Sequence, residues 1–180
     1  LSQGIHMEVN GMILRSPYEG FYNAYNLLAA VALTQSAGYT NEVIERALNH
    51  FQPQQGRMES FQIQEKKTVL ILVKNPAGFE QVLMMLQNHR QPKKVFLVLN
   101  DNAQDGHDVS WIWDVGIENI FQEETARIRQ LVCGGLRSGD MAVRMKYAGF
   151  PTEIIQLAET LEEGIQMILC ESDSKDMAYY

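Results

Sequence analysis

The chain has 180 residues, enough for one domain of ordinary size with its own core. Hydrophobic residues make up 46% and charged residues 21%, both globular values, and a net charge of −7 with no basic stripe argues against nucleic-acid binding. No apolar run approaches a membrane span, and no basic-then-apolar signal segment opens the chain, so a protein that does not itself span a membrane is expected.

Residues 5–15 alternate weakly around Asn10-Gly11, which predicts a hairpin with a tight turn. A helix is expected over 21–37, because Tyr25, Leu28, Ala29, Ala32 and Leu33 recur at three and four and Gly38 sits at C′. Thr40 is placed to cap a second helix running through Phe51, with Val43, Ile44, Ala47 and Leu48 on one face. Pro53 stops it, and Gln54-Gln55-Gly56-Arg57 reads as loop. Strand and helix then alternate. Thr68–Val73 is a β-branched and leucine run, read as a strand buried on both faces. Phe79–Asn88 reads as a helix, Val95–Leu99 as a strand, Ile117–Phe121 as a short strand and Arg129–Cys133 as another. A helix over 138–148, a strand Ile154–Leu157 and a helix Leu161–Leu169 follow. The end, Met177-Ala178-Tyr179-Tyr180, looks like the start of a strand, and the opening Leu1 suggests a piece excised from a longer protein. Strands separated by helices imply right-handed crossovers and an α/β, Rossmann-like, mostly parallel sheet flanked by helices. Ligands in such sheets gather at the C-terminal strand ends, here Lys74-Asn75-Pro76, Asn100–Asp108 and Gly134–Arg137.

The densest polar cluster follows the strand at Val95–Leu99. Asp101, Asp105, Asp108 and Asp114 are crowded there with two Asn, His107 and Gly106, then Trp111 and Trp113, the two tryptophans of the chain. An oriented aspartate can be a general base, a metal ligand or the orienting member of a nucleophile–His–Asp relay. A loop of turn-forming and capping aspartates has the same composition. His107 and Asp108 are sequence neighbours, which point apart on an extended chain, so they do not suggest a dyad. No Ser or Cys stands in a nucleophile elbow, and no His is set to activate Cys133. A relay through Asp108 with its histidine and nucleophile on another chain stays open. Cys133 and Cys170 lack metal-type spacing, so a reducing compartment and two buried, inert thiols are expected.

The other polar motifs are weaker. Asn23 and Asn26 stand three apart on one face of an apolar helix. Arg57 follows a turn and suits phosphate or carboxylate, as many surface arginines do. Lys74 and Asn75 place a cation and an amide at a strand end before a helix N-terminus, a setting that favours anions and is also an ordinary βα loop. No GxxxxGK[ST] loop occurs, so this piece alone cannot hold a nucleoside triphosphate. Gly134-Gly135 with Arg137 either cradles an anion or merely turns the chain.

Together these pieces resemble the C-terminal domain of the Mur ligase superfamily, and within it the MurT-type ligase subunits. The residues that carry the resemblance are Phe21–Ala30, Gly56-Arg57-Met58, Lys74-Asn75-Pro76-Ala77-Gly78, Lys146-Tyr147-Ala148-Gly149 and above all Leu99–Asp114. It spans about residues 16–170, with 1–15 expected to end a preceding central domain or linker and 16–180 to form the C-terminal domain. The resemblance implies a cytoplasmic enzyme acting at the inner face of the membrane in peptidoglycan biosynthesis. A GatD-type class I glutaminase subunit would release ammonia from glutamine with its own Cys and His. The ligase subunit would activate the α-carboxylate of D-glutamate in the lipid II stem peptide with ATP and Mg²⁺. By motif position Asp108 would stand beside the partner's Cys–His pair.

The resemblance also places Asn26, Arg57, Lys74 and Asn75 near the nucleotide and Arg137 near the arginine that reads an incoming amino acid. Ile71 stands where ordinary Mur ligases carry a ribose-binding Asp, and Lys74 where they carry His, so the adenosine contacts differ. The ATP loop and the four-cysteine zinc ribbon of the family's central domain are absent from this sequence, and no metal ligand is expected in it. Two other readings stand beside this one: an amino-acid-adding Mur or folylpolyglutamate-type ligase domain, and a non-catalytic module using Trp111 and Trp113 as interface anchors.

Overall fold

The computed structural model describes residues 4–16, 21–51, 57–63, 66–89, 91–120, 127–170 and 177–179. The expected loop at 54–56 and Phe121 lie outside them. The described chain forms two compact units, Leu1–Met58 and Glu59–Tyr180.

In the first unit, β1 (Ile5–Val9) and β2 (Met12–Ser16) pair antiparallel. Asn10 and Gly11 make the turn with φ of 51° and 79°, the left-handed pair that a two-residue hairpin requires. Helices α1 (Phe21–Ser36) and α2 (Asn41–Asn49) cover the hairpin. Met12, Leu14, Val31 and Ile44 form the core, flanked by Met7, Val9 and Leu48. A ring of amides closes the turn onto the helices: Asn10 Nδ2 donates to Gln35, Gln35 Nε2 to Asn41, and Asn41 Nδ2 to the Asn10 carbonyl. Thr40 sits at the cap position of α2, but its hydroxyl bonds the Glu42 carboxylate and not a backbone N–H, lowering the Glu42 pKa. The periodic set on α1 faces outward, with Tyr25 63% and Leu33 72% exposed, because α1 is apolar all round and buries Val31 instead.

The second unit holds most of a six-stranded sheet. β3 (Arg57–Ile63), β4 (Lys66–Ile71), β5 (Lys93–Val98), β6 (Ile128–Gly134), β7 (Ile155–Leu157) and β8 (Met177–Tyr179) lie in the order β3-β4-β8-β5-β6-β7. The pairs β4·β8, β8·β5, β5·β6 and β6·β7 are all parallel, as the strand–helix alternation predicts. The last strand in sequence is thus inserted between β4 and β5. Helices α3 (Pro76–Asn88), α4 (Ile117–Ile120), α5 (Ser138–Tyr147) and α6 (Leu161–Leu169) supply the cover. Phe96, Val132, Ala158 and Ile168 form a core between the sheet and α6. No helix among the described residues is long and apolar enough to cross a membrane.

Besides the Thr40 cap and the face of α1, four expectations need correction. Ile117–Ile120 is a helix and not a strand. Arg57–Ile63, read as loop at its start, is a strand. β4 runs from Lys66 to Ile71, starting two residues early and ending before Leu72, and Leu70 and Leu72 are exposed, so the run is not buried on both faces. Cys133 is buried, and desolvation pushes its thiol up to about 12, but Cys170 is exposed at the end of α6.

Candidate functional site

All parallel strands leave the sheet at one edge, so the loops after β4, β5 and β6 share it. The loop after β4 is an N-cap. The Asn75 side chain accepts from Gly78 N–H at 2.8 Å, Pro76 opens α3, and exposed Lys74 precedes the cap. The Asn75 oxygen is therefore committed to the helix terminus.

The loops after β5 and β6 are bonded to each other. Leu136 N–H donates to Asn100 Oδ1 at 3.0 Å and Arg137 N–H to the Leu99 carbonyl at 2.9 Å. Arg137 Nε meets Asp101 Oδ2 at 2.8 Å, and its Nη1 lies 3.6 Å from Asp140. Gly135 has φ of 86°, and a Cβ there would stand 2.5 Å from the Leu99 carbonyl oxygen. Its neighbour Gly134 leaves room for the Phe96 ring, which a Cβ would meet at 2.6 Å. The backbone donors after the two glycines are thus spent on the neighbouring loop. Of the two readings of this pair, turn and close backbone approach is the one the geometry fits.

The aspartate-rich run resolves into separate jobs. Asp105 accepts from Asn102 Nδ2 at 3.0 Å, and Gly106, with φ of 89°, completes that turn. His107 Nδ1 lies 2.9 Å from the Asp101 carbonyl oxygen, so His107 and Asp108 form no dyad. Asp108 is exposed, and its Oδ1 accepts from Ser110 N–H at 2.8 Å, an Asx turn leading into the 3₁₀ helix Ser110–Trp113. Hydrogen bonding from the Ser110 side chain, then from Ser110 N–H, holds the Asp108 carboxyl below its ordinary value. It is an ionised, oriented acceptor facing solvent. Among the described residues, no three His, Cys, Asp or Glu side chains converge as a metal site.

The tryptophans divide. Trp111 meets the buried Phe79 edge-on at 6.3 Å, whereas Trp113 is 50% exposed and meets Tyr147 at 5.8 Å. Asn26 lies on α1 in the first unit, and its Nδ2 reaches Asn23 Oδ1 at 3.4 Å. Arg57 opens β3, and the expectation for its side chain lies outside the described residues. Sequence reading missed Arg144, the largest fully buried side chain of the chain's described part. Its only signal was a cation on the face of α5 that also carries Met141, Met145 and Ala148, a face otherwise apolar.

This sheet order with its strand-end loops is the fold of the Mur ligase C-terminal domain. The Thermotoga maritima UDP-N-acetylmuramate–alanine ligase MurC superposes with a TM-score of 0.65 at 16% identity, covering 93% of this chain and 36% of that one. Residues 72–180 match the family model described as MurT ligase C-terminal, and the chain belongs to that family. It is 36% identical over 149 residues to the lipid II isoglutaminyl synthase (glutamine-hydrolyzing) subunit MurT of Streptococcus pneumoniae, covering 83% of this chain. It is 30% identical over 151 residues to the subunit of the same name from Staphylococcus aureus, covering 84% of this chain. The chain spans about a third of the length of these curated relatives, 33% and 34%.

Proposed function

We propose that this chain is the C-terminal domain of the ligase subunit of a glutamine-dependent amidotransferase. The whole enzyme amidates the α-carboxylate of D-glutamate in the lipid II stem peptide to D-isoglutamine, in peptidoglycan biosynthesis at the cytoplasmic face of the membrane. The observation that carries the reading is Asp108: an exposed carboxylate, oriented by Ser110, with no histidine of its own chain on it among the described residues. The relatives' name, a glutamine-hydrolysing synthase subunit, supplies the reaction it fits.

In this reading the glutaminase subunit, of the GatD type, presents a Cys–His pair to Asp108. The carboxylate accepts from imidazole Nδ1–H, fixes the tautomer and stabilises the imidazolium formed when the thiol loses its proton. Thiolate attack on the glutamine amide carbon expels ammonia, and water later frees glutamate from the thioester. In the ligase subunit the D-glutamate carboxylate takes the γ-phosphoryl group of ATP, releasing ADP. Ammonia then displaces phosphate from the acyl phosphate. Asn26 and Arg57 of the first unit, and Lys74 and Asn75 of the second, are each proposed as nucleotide contacts, Lys74 as a point charge before the α3 terminus. Arg137, already paired with Asp101, is proposed to face the acceptor substrate. No residue here is proposed as a ligand of Mg²⁺. Residues 1–15 are proposed to continue from a central domain that carries the ATP loop and the zinc ribbon.

The test is Asp108→Asn in the full two-subunit enzyme, which keeps shape and the Ser110 contact but removes the charge. Glutamine hydrolysis falls about a thousandfold or more, while the subunits still assemble. Wild-type hydrolysis in that variant would sink the split relay.

A further inference from the structure

The turn that presents Asp108 is fastened from inside the domain by one buried cation. Arg144 on α5 is 2% exposed. Its Nε donates to the Ile112 carbonyl at 2.9 Å and its Nη2 to the Val115 carbonyl at 2.7 Å. The same guanidinium meets both carboxylate oxygens of Glu118, at 2.7 and 3.0 Å. Its Cζ lies 5.2 Å from the centre of the Trp113 ring. One planar fork therefore ties together positions 112, 113, 115 and 118. From the other side, Gly116 N–H donates to Glu80 of α3 at 3.0 Å.

The 3₁₀ helix so held is only four residues long, and such helices are weakly bonded internally. Its first residue, Ser110, carries the N–H that orients Asp108. A buried guanidinium is costly unless its donors are met, and an apolar side chain fills the same volume without that cost. What the apolar side chain cannot do is hold two carbonyls at fixed positions. We infer that Arg144 is a positioning residue for Asp108. It sets where the carboxylate stands relative to the partner's imidazole, and Glu118 sets Arg144. The inference rests on the reading of Asp108 given above.

The test uses the full two-subunit enzyme and the variants Arg144→Lys and Glu118→Gln, each alone and with Asp108→Asn. Lysine keeps the charge but loses the planar fork. Glu118 is half exposed at its side chain, so its amide variant retains the fold and decides the matter if Arg144→Lys does not assemble. Misplacement of an oriented group lowers kcat for glutamine hydrolysis about tenfold or more, with KM within about twofold. On the Asp108→Asn background neither substitution lowers hydrolysis further. Amidation driven by ammonium chloride, which bypasses the glutaminase, is unchanged. Wild-type kcat in both single variants, with Asp108→Asn inactive, overturns this inference and leaves the reading of Asp108 standing. An additive loss on the Asp108→Asn background, or an equal loss with ammonium chloride, marks a general structural role and also overturns it. Full activity of Asp108→Asn overturns both.

Discussion

Gly164 of α6 packs so close to Phe96 of β5 that a methyl group on its Cα would come within 2.2 Å of the ring's Cζ. Phe96 is 1% exposed and anchors the core on that side of the sheet, so the ring has nowhere to move. Alanine is the better helix former in isolation. Here overpacking wins, and Gly164→Ala destabilises the chain by about 2 kcal/mol. Phe96→Leu, which removes the far edge of the ring, relieves part of that loss. Denaturant midpoints of the two single variants and the double variant measure it. Strict additivity would show that the contact is not the cause.

The two thiols divide by burial. Cys133 is buried, with its thiol pushed up to about 12, and Cys170 is exposed. An aromatic disulfide reagent at mildly alkaline pH therefore titrates one thiol in the folded chain and both after unfolding, since thiolate access sets the rate. Cys170→Ser removes the fast phase. A fast phase that survives the substitution would place Cys133 within reach of solvent.

Much of the second unit is legible in the sequence because β4, β5 and β6 carry apolar runs, Pro76 marks the start of α3 and Gly149 follows the end of α5. Asn10-Gly11 announced the hairpin for a backbone reason, since both residues tolerate positive φ. Ile117–Ile120 misled because four residues with two isoleucines carry too little periodicity to separate strand from helix. Contacts decide that segment: Ile117 is buried and Glu118 is drawn to Arg144. β3 was missed because Arg57–Ile63 has polar residues at most positions. Among the candidate site residues, Asp108 stands out by its motif. Arg144 did not, because a cation on a helix is ordinarily a surface residue and only the tertiary fold supplies its acceptors.

The clamp on the Asp108 turn has a pH signature. Arg144 holds the Glu118 carboxyl below its ordinary 4.5. A carboxylate whose folded pKa is depressed contributes stability above its unfolded value, lost as pH falls through the folded one. The wild type therefore exceeds Glu118→Gln in stability at about pH 7, and the difference shrinks below about pH 4.5 as the pH falls through the lowered folded value. Denaturant unfolding of both chains across that range measures the gap. A gap that does not change with pH would mean that the Glu118 charge contributes nothing.

In the proposed reading, Asp108 and the ligase chemistry separate by nitrogen source. If the carboxylate only orients the partner's histidine, the step in which ammonia attacks the acyl phosphate does not involve it. The Asp108→Asn enzyme, supplied with ATP, lipid II and glutamine, then makes no D-isoglutamine product. Supplied with an ammonium salt at alkaline pH, where free ammonia is plentiful, it amidates at the wild-type rate. The two outcomes are read on one preparation by mass spectrometry of the muropeptide, a change of carboxylate to amide. Loss of both activities would move Asp108 into the ATP cleft, and with it the reading of the Leu99–Asp114 run. An amino-acid-adding ligase would instead join a free amino acid and ignore both nitrogen sources. For this chain by itself, with no GxxxxGK[ST] loop in its sequence, the expected outcome is no phosphate release from ATP in a phosphate-release assay, and robust turnover would overturn that expectation.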